Sequence, residues 1–409
     1  MIGNSIFNCI DHDQQQNGFL IIGGASNSTD IVSNANSPVI MKISEATGKL
    51  KWQQQLNAGT GVVSPQNLKE CTIQQGIQNF IVAQSDNPQY SILVFRYDTG
   101  QLLKSFYEID TSTQNIQLQK IPMGIFMNSQ GQIYTISWRG IIIYIASFLF
   151  TSTSNTITST VSKTFGSFIN NEIGKSVAYI SGLEQIFLGG NHNGQPIITK
   201  VQLSNIQWLY SKQLKGPGIS TTQQYITKIG LFQKPDNTIN QLVCVENLGT
   251  DLNKVAFVYF VESSMTVNTM TRSWYYPTTT KTQCLDVKLN NLNGYFIISQ
   301  GGYNYYGLLN LASQSSTITV TKLTTSTSSL GQNTQNAYIS ILKSQVFYIV
   351  QTQFIIGSIS IGSNVIIFRP IRMGVLCRVF QLSLKIIMVE LVTKDIPLTK
   401  LLQGPIGLN

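Results

Sequence analysis

Ser44 to Leu56 reads SEATGKLKWQQQL, and the architecture turns on this stretch. Thr47 and Gly48 make a turn signal between two strand-like pieces, and Trp52 follows the glycine by four residues at the head of a polar run. Either this is one turn between two strands, or it is one copy of a repeating unit. Leu20 to Leu56 carries LIIGG, PVIMKIS and KLKWQQQL, and Ile186 to Leu214 carries IFLGG, PIITKVQ and IQWLYSKQL. The same three pieces recur in the same order, each with a Gly-Gly after the first and a tryptophan in the third.

Further copies of the first piece begin at Phe80, Ile133, Leu242, Phe296 and Phe347, so seven starts lie 51 to 60 residues apart. A strand-like segment precedes each one, an apolar segment follows (YGLLNLA in the sixth and FIIGSIS in the last), and most units end in a polar, alternating fourth. Four strands per unit of roughly fifty residues is the pattern of a β-propeller blade. Strands sandwiched between neighbouring blades read as continuous apolar runs, whereas an outer strand with one wet face alternates. The expected fold is therefore all-β, a propeller of about seven four-stranded blades near 5–56, 67–108, 121–165, 174–214, 224–276, 280–324 and 337–370. Residues 371–409 are left as closing strands, a partial eighth blade or an irregular tail. From Arg369 onward this segment carries six basic and two acidic residues and is richer in Leu, Ile, Val and Met. Sequence outside the natural reading frame is the other reading of it.

SEATGKLKW resembles the PQQ-type, or quinoprotein-like, propeller repeat. In that family an acidic residue and Thr-Gly form the turn between third and fourth strands, and the tryptophan packs between blades. The matching residues are Glu45, Thr47, Gly48 and Trp52. A second copy, YDTGQLLKSF, supplies Asp98, Thr99 and Gly100 but has lysine at 104. Trp208 and Trp274 take comparable places in their blades without a Thr-Gly turn before them. The resemblance implies the propeller without the family's catalysis, because the adjacent cysteine pair of its dehydrogenases is absent and the chain has only 18 acidic residues. It marks a divergent, non-catalytic member that needs no cofactor and no metal.

Composition agrees with an all-β chain. Charged residues are 11% of the total, against about 25% in an average soluble domain. Ser, Thr, Asn and Gln supply the polar surface instead, and they disfavour helix interiors. The net charge of +9 is scattered, with no basic stripe of the kind that binds nucleic acid. The longest apolar run, Gly140 to Phe150, is about half of what a membrane-spanning helix needs. Cys9, Cys71, Cys244, Cys284 and Cys377 form no CxxC pair and are expected as buried free thiols. With two histidines a zinc site of ordinary spacing is excluded. Asp11-His12-Asp13 reads as a solvated turn, and His192 as an exposed turn residue.

What remains for function is surface, since propellers bind through residues converging on one face. The aromatic stretch GGYNYYG, taken as a loop with Tyr303, Tyr305 and Tyr306, is the first contact candidate, followed by Trp274 and Tyr275. Packing within the blade is the competing reading for all five. The expectation is a monomeric, non-catalytic scaffold that binds a protein or other ligand, in a secreted or cell-surface protein. Asn27 would then be a glycosylation acceptor, and the chain a fragment without its signal peptide. An intracellular scaffold is the alternative, and an enzyme acting at the central channel comes third.

Overall fold

A computed structural model describes residues 5–13, 18–26, 37–44, 49–56, 67–76, 79–85, 90–107, 121–139, 142–165, 176–214, 224–247, 254–262, 268–277, 282–301, 303–311 and 318–322, and the backbone strands within 334–392. These residues form an all-β propeller. Six antiparallel four-stranded sheets follow one another, each a meander in chain order. They run from Ser5 to Gln55, Glu70 to Tyr107, Ile121 to Phe165, Ser176 to Gln213, Gln224 to Pro277 and Thr282 to Lys322, and are called blades 1 to 6. The first strand of each blade lies beside the first strand of the next, so these strands surround a central channel.

Seven four-stranded blades were expected, and six are found. The remaining sheet has five strands. Thr334–Ile341, Phe347–Ile356 and Ile361–Ile371 pair antiparallel, Ile386–Val392 then joins in parallel, and Val379–Gln381 forms the edge. The third strand is Ile361–Ile371, so the piece FIIGSIS is not it: Phe354 to Ile356 end the second strand. Thr334–Ile341 touches the inner strands of blades 6 and 1, so this sheet stands between them.

Burial follows the sequence pattern. In blade 1 the third strand, Ser37–Ser44, is buried throughout, whereas Leu50–Gln55 is mostly half-buried. The cores lie between blades. Ile21, Ile40, Ile81, Leu93 and Phe95 pack at the junction of blades 1 and 2. Four further clusters fill the junctions 2–3, 3–4, 4–5 and 5–6 in the same way. A blade thus cannot bury its faces alone, which is why the repeats are mutually dependent.

One irregularity repeats. In blades 1 to 5 the pairing of third and fourth strands slips at Lys42/Ile43, Val94/Phe95, Ser147/Phe148, Lys200/Val201 and Tyr259/Phe260. A bulge at a fixed place adds local twist and re-aims the side chains around it. It also gives an unambiguous register across blades. Trp52 stands opposite Lys42, and Tyr210 opposite Lys200, both immediately before the slip.

Candidate functional site

The chemistry-bearing side chains concentrate at blade junctions and on the inner strands. At junction 1–2 the Trp52 ring lies against Gly100 of blade 2, and its indole N–H donates to the Tyr97 carbonyl at 3.1 Å. Gly100 has φ +71° and closes the turn begun at Arg96, whose N–H bonds to the Gln101 carbonyl at 2.8 Å. In blade 1 the Ser44 N–H bonds to the Lys49 carbonyl at the same spacing. Asp98 and Thr99 sit exposed in the blade 2 turn. Glu45, Thr47, Gly48 and Asn27 lie outside the described residues.

Beneath Trp52 the Lys42 ammonium is buried over two rings, 3.4 Å from the centre of Tyr97 and 4.4 Å from that of Phe19. Burial lowers its pKa, opposed by Asp98 and Asp13. The Tyr97 hydroxyl donates to Asp13 at 2.5 Å, and burial and that carboxylate hold the phenol far above its ordinary range. Asp11 accepts from the Thr72 hydroxyl and the Ile73 N–H, both at 2.8 Å. Asp11-His12-Asp13 is therefore not a solvated turn: His12 and Asp13 are buried, and both carboxylates tie blade 1 to blade 2.

Blade 4 repeats the device. Lys200 forms a 3.0 Å ion pair with Glu262 of blade 5, with both side chains buried. Tyr210 donates to the same oxygen at 3.0 Å. By register Tyr210 holds the place that Trp52 holds in blade 1. The expectation for Trp208 is corrected accordingly: it lies past the slip, opposite Val201, and packs into junction 3–4.

Cys9 and Cys71 are joined by a disulfide, with Cα atoms 5.5 Å apart. It links the inner strands of blades 1 and 2 and corrects the reading of every cysteine as a free thiol. Gly23 makes room for it, since a β-carbon there would lie 2.7 Å from Cys9 Sγ. The matching Gly189 makes room for Ile226 of blade 5, 2.5 Å from such a carbon. This close approach is what the repeated Gly-Gly serves. Cys244 and Cys284 are buried thiols. Cys377 lies outside the described residues.

Charges also face one another across the ring. Glu70, on the inner strand of blade 2, is partly accessible to water. Enclosure pushes its carboxyl up to about 8, opposed by Lys228 and Lys288 from blades 5 and 6 and by Lys69. Glu246 is buried at junction 5–6, where it accepts from the Cys284 N–H at 2.5 Å and the Tyr225 hydroxyl at 3.3 Å. Burial raises its pKa against those hydrogen bonds and Lys228. Among the described residues no group of three His, Cys, Asp or Glu is placed to hold a metal ion, and no helix is long and apolar enough to cross a membrane.

The aromatic contact candidates fall into strands. Gln300 pairs directly with Tyr303, so Tyr303, Tyr305 and Tyr306 belong to the third strand of blade 6 rather than to a loop. Tyr305 packs against the core of junction 5–6, and Tyr306 is half-buried, its phenol pKa raised by burial. Trp274 is 2% exposed in that same core. Tyr275 is its neighbour on the fourth strand of blade 5. The side chains of Tyr303 and Tyr275 lie outside the described residues. Inter-blade bonds of Asp11, Asp13, Lys42 and Lys200 went unnoticed in the sequence. Only the lysine shared by PVIMKIS and PIITKVQ, inside apolar strands, signals them.

No protein-family model matches the sequence, and no curated protein matches it. Among solved structures the chain is similar to the β-propeller domain of Cps50 (Swd1) from Myceliophteria thermophila, with a TM-score of 0.54, 8% identity, and coverage of 86% of this chain and 96% of that one. It is also similar to Hsv2 from Kluyvelomyces marxianus, with a TM-score of 0.51, 10% identity, and coverage of 88% and 97%. At such identities the likeness is one of fold.

Proposed function

We propose that this chain is a non-catalytic propeller scaffold that binds a protein or other ligand and works in an oxidising compartment, as part of a secreted or cell-surface protein. The observation that carries this reading is where the polar chemistry goes. Lys42, Lys163, Lys200, Asp11, Asp13, Glu184, Glu246 and Glu262 each reach a group on the neighbouring blade. Such groups hold a ring rigid and do not converge on a substrate, and a rigid ring displays its connecting segments to a partner. The Cys9–Cys71 disulfide supports the compartment, because persistent disulfides belong to oxidising surroundings. The five-stranded sheet between blades 6 and 1 acts as the seventh blade of this ring, and the Trp52–Gly100 contact supports descent from a quinoprotein-like propeller.

Glycosylation tests the compartment. Full-length protein produced through the secretory pathway of a eukaryotic host is expected to lose mass on glycosidase treatment, and the Asn27→Gln variant is expected not to. A wild-type chain that is retained, unglycosylated and degraded in that pathway, but folds when made in a reducing cytosol, would overturn the reading.

A further inference from the structure

We infer that Cys244 and Cys284 form a second covalent staple, joining blade 5 to blade 6 as Cys9–Cys71 joins blade 1 to blade 2. Cys244 lies on the second strand of blade 5, Ile239–Asn247, and Cys284 on the inner strand of blade 6, Thr282–Leu289. Both belong to the packed core of that junction, where each thiol is among the groups that act on the other. The backbone on either side is pinned. Glu246 accepts from the Cys284 N–H across the junction, and the two strands carrying the thiols touch directly. Two cysteines of one packed core, on strands that touch directly, are placed for the close approach that a bridge requires.

Both thiols are buried, at 0% and 6% exposure, and their surroundings hold both in the protonated form, with burial the main cause. The nucleophile in disulfide exchange is the thiolate, so exchange with an outside disulfide is blocked in the finished fold. The bridge is therefore made before junction 5–6 closes, or when it opens. A Cys284 thiolate attacks one sulfur of a small disulfide such as oxidised glutathione, releasing one glutathione thiolate. The Cys244 thiolate then attacks the mixed disulfide and releases the second. Two protein S–H bonds are lost, one S–S bond is gained, and the two electrons reduce oxidised glutathione to two thiols.

This inference rests on the oxidising-compartment reading for its occurrence in the cell, though its chemistry is testable apart from it. Full-length Cys377→Ser protein is refolded in a buffer of oxidised and reduced glutathione, quenched with an alkylating agent and digested without reduction. The expected result is two linked peptide pairs, 9–71 and 244–284, and no alkylated cysteine. Folded protein first prepared in reductant is expected to acquire the 244–284 link at least tenfold more slowly than refolding chains do. A digest with 9–71 linked but Cys244 and Cys284 alkylated overturns the inference and leaves the compartment reading standing. Alkylation of all four overturns both.

Discussion

The ring of Trp52, on the outer strand of blade 1, lies over Gly100 of blade 2 so closely that a β-carbon there would sit 2.5 Å from it. The tryptophan of the first motif thus seats on the Thr-Gly turn of the next blade.

Gly100→Ala is expected to destabilise the fold by about 2–3 kcal/mol, from the left-handed backbone and the collision with the indole together. Trp52→Ala should cost about 2–4 kcal/mol. Urea unfolding of the double variant checks the contact: the combined loss should fall short of the sum by at least about 0.5 kcal/mol. Strict additivity would show that the two residues do not touch.

At junction 4–5, removing one partner of a buried ion pair leaves the other charge uncompensated. Lys200→Met is expected to cost about 3–5 kcal/mol, while Lys200→Met with Glu262→Leu should recover most of it. The measurement is again chemical denaturation, and a double variant no more stable than the single one would argue against the pair.

Glu70 gives the fold a pH dependence. Its folded pKa of about 8 lies above the ordinary carboxylate value, so the folded chain binds more protons than the unfolded one between about pH 4.5 and 8. Stability from this group is present below that window and is lost as pH rises through it. Glu70→Gln should flatten the slope and leave the variant about 1–3 kcal/mol more stable than wild type at pH 9. Melting curves from pH 5 to 9 decide this, and parallel profiles for both proteins would remove Glu70 from the channel.

Gly23→Ala forces a β-carbon against Cys9 Sγ and Cys71 Sγ. The variant is expected to retain less of the 9–71 bridge than wild type when both equilibrate in one glutathione buffer, by at least about threefold, as counted by thiol labelling.

The period of the repeat was legible because burial alternates with it. Apolar second and third strands stand between blades, and polar fourth strands stand outside. Register was not legible, since a bulge leaves no composition mark, and Trp208 was aligned with Trp52 although Tyr210 holds that place. GGYNYYG read as a loop because two glycines open it. Gln300 pairs directly with Tyr303, which puts the tyrosines on a strand. Cysteines 62 positions apart carry no spacing signal, and their pairing depends on how two blades dock. The final sheet departs from the four-strand pattern through a parallel strand, which local sequence does not encode.

The most direct test of the account is the state of Cys9 and Cys71 in the full chain isolated from the cells that make it, with thiols trapped at lysis. The account predicts a linked 9–71 peptide and no alkylation at either cysteine. Recovery of both as alkylated thiols from folded protein would contradict the covalent junction of blades 1 and 2, and with it the scaffold of an oxidising compartment.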